Sequence, residues 1–256
     1  MTKFKSLTKD DLFRLSLFAA LQLFNFVSLV YFTIAYVQNK VAITLVLYCT
    51  ATVFFFFVPG LVQKWLKFKM ATPVYVFVML YALCPMLGHS YELYYTIKWW
   101  DKLLHLAGGV IFAIFGAYLP KIFLKKDNCN VWLCAVFGIA FSMAISVFWE
   151  FFEFALDTFL GTDMQKDTLI FDIRSYLLND VLGGKLGEMQ TMEGVTTTIN
   201  GMTINGYIDV GRTDTMLDML VETLGAIVYA VVLVIEKGKY SSFHLLEKKE
   251  ETKNNE

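Results

Sequence analysis

Long apolar stretches separated by short polar connections run through the chain, and six of them approach or exceed membrane-spanning length. They cover about residues 12–37, 41–62, 73–89, 103–123, 131–156 and 216–235. A helix of roughly 18–20 apolar residues matches the hydrocarbon thickness of a bilayer, so each stretch predicts one span. The third is the shortest and is interrupted by Pro85 and Gly88. One connection is long: residues 158–213 are polar, rich in Gly, Thr and Asn, and too extended for a plain turn. Its second half alternates and carries Asn200-Gly201 and Asn205-Gly206, which predict a small β-hairpin because a type I′ turn needs two positive φ angles. Its first half, 167–178, fits an amphipathic surface helix. The pattern predicts an all-α polytopic membrane protein. Six transmembrane helices lie within residues 1–236, with an outer loop or lid at 158–213 and a charged, disordered tail at 237–256.

Composition agrees. At 57% hydrophobic residues and a mean hydropathy of +0.54, the chain is too apolar for a soluble globule of its length. The net charge of −1 says nothing about nucleic acid, but no basic groove or aromatic RNA-binding motif appears, so no nucleic-acid partner is expected. Orientation follows from Lys and Arg, which favour cytoplasmic connections. Fifteen fall on the side holding both termini and the second and fourth connections, and seven on the other side. Both termini are therefore expected in the cytoplasm. The first apolar run is too long for a signal peptide core and lacks a small-x-small cleavage site, so it reads as an uncleaved span. Tyr91, Tyr94, Tyr95, Trp99 and Trp100 read as an interfacial anchor. His89, at a span end, reads as an interfacial hydrogen-bonder.

That orientation brings three clusters to the outer face: Asp101/His105, Glu150/Glu153/Asp157 and Asp214/Asp218/Glu222. Asp101 and His105 are four residues apart and share a helix face. The second cluster spans an arc of about 60° and the third about 80° on a helix. The fifth and sixth spans run antiparallel, which sets Asp157 level with Asp214, Glu153 with Asp218 and Glu150 with Glu222. Small residues at four-residue intervals, Gly138/Ser142/Ser146 and Gly109/Ala113/Ala117, allow the helices that carry these groups to approach closely. Ionised groups at hydrocarbon depth are costly unless paired, protonated, metal-bound or wet, so the clusters read as a functional site. Oxygen ligands with an imidazole suit Mg²⁺, Mn²⁺ or Zn²⁺. The candidate ligands are Asp101, His105, Glu150, Glu153, Asp157, Asp218 and Glu222. No Glu-x-x-His pair is present, which argues against a ferritin-type di-iron centre.

Asp101-Lys102-x-x-His105 opening one span, acids ending the next, and Arg212-x-Asp214-x-x-x-Asp218-x-x-x-Glu222-x-x-Gly225 together resemble the VanZ-like proteins. The span count and Trp99-Trp100 look closer to YjdF-type bacterial inner-membrane proteins. The resemblance covers the fourth to sixth spans. The chain departs from it with Glu222, where VanZ-like sequences commonly carry Asn, and with a longer outer loop. It implies a multi-pass protein of the bacterial plasma membrane, with a link to glycopeptide resistance.

Three functions compete at this stage. The first is metal-assisted chemistry on a lipid or lipid-linked headgroup, with Glu150, Glu153, Asp218 and His105 as catalytic residues and Arg212, Lys102 and Asp214 holding substrate. The second is a proton- or cation-coupled transporter. Against it, the acids of the sixth span cover only about 12 Å of depth, and no inverted repeat is visible. The third is a headgroup- or antibiotic-binding protein without catalysis.

Overall fold

The computed structural model describes residues 8–125, 129–185, 187–236 and 246–248. Lys3, Lys5, Lys126, His244 and most of the charged tail lie outside the described residues. Six helical segments are long and apolar enough to cross a membrane, close to the predicted spans. They are α1 (Lys9–Val37), the consecutive helices α2 (Ile43–Phe55) and α3 (Val58–Trp65), α4 (Thr72–Ser90), α6 (Trp100–Leu124), α7 (Val131–Leu160) and α9 (Arg212–Ile235). A four-residue helix, α5 (Leu93–Thr96), precedes α6. The second span is broken at Phe56–Phe57, where Pro59 opens α3 within its first turn. Pro85, by contrast, is accommodated inside α4.

By contact density the chain divides into two units, Met1–Ile145 with Val221–Glu256, and Ser146–Leu220. In the first, one end is stitched by polar groups. Thr8 and Asp11 form a capping box that starts α1. Arg14 donates to the Met70 carbonyl at 2.7 Å and to Thr72 Oγ1 at 2.8 Å, and its guanidinium lies over the Tyr75 ring. Strand β1 (Phe68–Met70) pairs antiparallel with β8 (Leu246–Lys248). The start of α1, the second connection and three residues of the tail thus share one end, as the lysine distribution requires. Those three residues form a strand where the sequence predicts disorder.

Two apolar clusters hold this unit together. Phe32, Cys49, Phe56, Met79, Leu83 and Met86 join α1, α2 and α4, with the Asn25 amide donating to the Cys49 carbonyl inside the cluster. The other centres on α6. Of its apolar window 61% is buried, against 17% for α1, which makes α6 the helix wrapped by others. Glycine and alanine permit this. A Cβ on Gly109 would sit 2.0 Å from the Glu222 carbonyl oxygen, and one on Gly225 2.3 Å from that of Leu106. On the α7 side, Gly116 faces Phe137 and Gly138, and the Ser142 hydroxyl donates to the Gly109 carbonyl at 3.3 Å. The small-residue faces read from the sequence are the packing faces.

The second unit joins the C-terminal part of α7 to the first turns of α9 through the long connection. The expected hairpin is present: β5 (Thr196–Ile199) pairs with β6 (Met202–Asn205) across Asn200 and Gly201, both at positive φ. The helix expected over 167–178 is not formed. That segment holds β2 (Leu169–Ile170), β3 (Ile173–Ser175) and a 3₁₀ turn at Tyr176–Leu178, followed by α8 (Asn179–Leu182). Strand β2 pairs with β7 (Tyr207–Ile208), and β3 with β4 (Gln190–Met192). Partners about 40 residues away along the chain for β2, and nearer ones for β3, outweigh the local helical pattern.

Candidate functional site

Asp101 lies in the first turn of α6, where the helix dipole favours an acid, and His105 lies one turn deeper. Close packing of α6 on α9 at Gly109 and Gly225 brings Glu222 beside them. His105 Nδ1 is 3.4 Å from Glu222 Oε2, and His105 Nε2 is 4.0 Å from Asp101 Oδ1. Each ring nitrogen therefore faces a carboxylate from a different helix. His105 is 7% exposed and Glu222 3%, so neither charge is screened by bulk solvent. The other Glu222 oxygen, Oε1, has no hydrogen-bond partner among the described residues. Lys102 Nζ lies 3.3 Å from Asp101 Oδ2, so this cation pairs with its neighbour. With a neutral imidazole, these four groups together sum to a net charge of −1. A proton or a cation would balance it.

Asp101 and His105 each present a ligand atom in a group suited to a metal ion. An imidazole whose Nδ1–H is given to a carboxylate has its Nε2 lone pair oriented for coordination.

In the second unit the acids meet a different set of partners. Asp157, near the end of α7, accepts from Thr162 Oγ1 and the Met164 amide with Oδ1, both at 2.7 Å, and from the Gln165 amide with Oδ2 at 2.9 Å. Asp214, buried in the first turn of α9, accepts from the next amide, that of Lys166, at 2.9 Å. Asp157 and Asp214 thus grip consecutive peptide groups of one loop. Glu150 is 4% exposed and receives the Gln165 side-chain amide at 3.4 Å; that amide also donates to Thr215 Oγ1 at 2.6 Å. Glu153 accepts from Trp149 Nε1 at 2.7 Å, one helical turn back. Asp218 is the most buried acid of the set, 1% exposed.

Just before α9, Asp209 accepts from the Thr168 and Thr213 amides and from the Thr213 hydroxyl. Burial alone would raise its carboxyl, but the Thr213 and Thr168 hydrogen bonds and the Arg212 charge hold it below the usual range. Asp163, by contrast, is raised, chiefly by burial and then by the negative charges of Asp167 and Asp157.

His89 stacks on Tyr48 with ring centroids 3.8 Å apart and leans on Tyr94 at 4.6 Å. It serves the aromatic interface at the end of α4.

A family model described as "Predicted membrane protein (DUF2238)" matches residues 19–239. The chain belongs to this family. The DUF2238 match takes in most of α1, the other five spans and the long connection between α7 and α9. Comparison with curated proteins and with solved structures gives no match.

Sequence reasoning missed two residues of consequence. Gln165 bridges Glu150 and Thr215 from an irregular loop that carries no motif. Arg174 lines a cavity with Arg212. Its signal was scarcity: the chain has only three arginines among 22 cationic residues.

Proposed function

We propose that this protein is a bacterial inner-membrane enzyme, akin to the VanZ-like and YjdF-type proteins, that uses Mg²⁺, Mn²⁺ or Zn²⁺ in chemistry on a lipid or lipid-linked headgroup at the outer leaflet. One observation carries the reading: buried His105 has a carboxylate against each ring nitrogen, and one oxygen of buried Glu222 is left without a partner. Asp101 and the Nε2 of His105 would be ligands, and Glu222 would fix the imidazole orientation from Nδ1. A cation held there would polarise an ester or phosphoryl oxygen and lower the pKa of bound water.

Asp218 precedes Glu222 by one helical turn and shares its face, so it is assigned as a further ligand. Glu150 and Glu153 are assigned as base and additional ligand. Arg212 and Lys102 would meet an anionic headgroup. Asp157 and Asp214, whose oxygens receive backbone amides, are assigned to holding the loop.

The test uses the protein in proteoliposomes of phosphatidylethanolamine and phosphatidylglycerol, with a lipid-linked pyrophosphate added and the lipids followed by mass spectrometry. The reading expects a metal-dependent change in one headgroup, abolished in Glu150→Gln and Asp218→Asn. No change in any headgroup, or equal turnover in both variants, would return the acids to a structural role.

A further inference from the structure

The chain places arginine sparingly. Of its three, Arg14 ties α1 to α4, and the other two both line one cavity of about 350 Å³ within the second unit. The lining is Ile170, Asp172, Ile173, Arg174, Tyr207 and Arg212. Pairing of Ile170 with Tyr207 across β2 and β7 builds one wall. Arg174 comes from the middle of β3 and Arg212 from the first residue of α9. Positions 146–220 hold twelve acids and four cations, so two arginines on one cavity run against the local charge balance.

No carboxylate is bonded to either guanidinium among the described residues. Of the nearby acids, Asp172 lines the same cavity and Asp209 adjoins Arg212. Asp172 Oδ1 accepts the Gly194 amide at 3.3 Å, and Asp209 is held by Thr168 and Thr213 while feeling the Arg212 charge. Planar guanidinium groups match tetrahedral oxyanions through paired N–H donors, which an ammonium group cannot reproduce. The two isoleucines and the tyrosine ring supply apolar wall beside that charge.

We propose that this cavity is a phosphate-monoanion or phosphodiester site, with Arg174 and Arg212 as its paired donors. It deepens the headgroup part of the reading above and needs none of Asp101, His105 or Glu222. The shared chemistry is a phosphate group, carried either by a phospholipid or by free inorganic phosphate.

The experiment titrates full-length protein in a neutral detergent, with chelator present, against inorganic phosphate and against dihexanoyl phosphatidylglycerol, by calorimetry. The wild type is expected to bind at least one saturably, with Arg174→Gln and Arg212→Gln each weakening Kd at least tenfold and Lys185→Gln leaving it unchanged. Binding of the lipid alone assigns the site to headgroups, and equal binding of both assigns it to the free anion; either supports the proposal. Arg174→Lys, which keeps the charge and tests whether any loss is merely misfolding, should recover only part of the affinity. Full recovery by lysine, unchanged binding in both glutamine variants, or no saturable binding of either probe overturns it. Because chelator removes any cation, such a failure leaves the metal reading standing, and a metal-free result leaves this one standing.

Discussion

Two regions of this protein use the carboxylates of its spans in opposite ways. Around His105, Glu222 and Asp101 face a titratable side chain, and one oxygen stays unpartnered in a buried position. Around Gln165, Asp157 and Asp214 spend oxygens on backbone amides and a hydroxyl. The partner, rather than the acid, separates the two jobs. Amides fixed by a loop make an acid structural, whereas an imidazole and an unmet lone pair leave capacity for a ligand.

The comparison breaks most severely if α6 and α9 are forced apart. Gly225→Leu puts a side chain where the Leu106 carbonyl already stands. It should cost about 3 kcal/mol or more, the upper end for overpacking, and should remove His105–Glu222 coupling together with monodispersity in size-exclusion chromatography. Gly60→Ala, where an added Cβ meets nothing within 4 Å, should leave the elution profile unchanged. Glu222→Gln should keep the fold and weaken divalent-cation affinity by about 10–100-fold, the usual loss of an orienting partner. Asp157→Asn should do the reverse, leaving cation affinity intact while loosening residues 161–166 at a cost of about 1–3 kcal/mol, visible as faster amide exchange there.

The smallest effect is in pH. Asp209 has a folded-state pKa below its ordinary value of 3.8. Its contribution to the start of α9 is therefore complete above that value and is lost as pH falls through the lower folded value. Asp163, raised above the same reference by burial, works the other way: its ionisation disfavours the folded loop, and acid relieves it. Amide exchange at residues 209–213 should quicken below pH 3.8 in the wild type, and Asp209→Asn should flatten that dependence.

The spans, the small-residue faces and the Asn200-Gly201 turn were legible because each is a local pattern: a run, a four-residue interval, a dipeptide. The Asp101/His105 pairing was legible for the same reason. The partnership of His105 with Glu222 crosses 117 residues and depends on which helix packs against α6. Gly109 and Gly225 signal that contact only once the two are known to face each other. The strands at 169–175 were misread because their pairing partners lie elsewhere in the connection. The break in the second span was not read from the sequence, although Pro59 suits the first turn of a helix better than its interior.

The direct test of the cation assignment is equilibrium binding of Zn²⁺ and Mn²⁺ to purified protein in nanodiscs, with bound metal counted by elemental analysis. The account predicts one ion per chain in the wild type and in Asp157→Asn, and its loss in His105→Gln and Asp101→Asn. Absence of stoichiometric metal in the wild type, or equal retention when His105 is replaced, would contradict it.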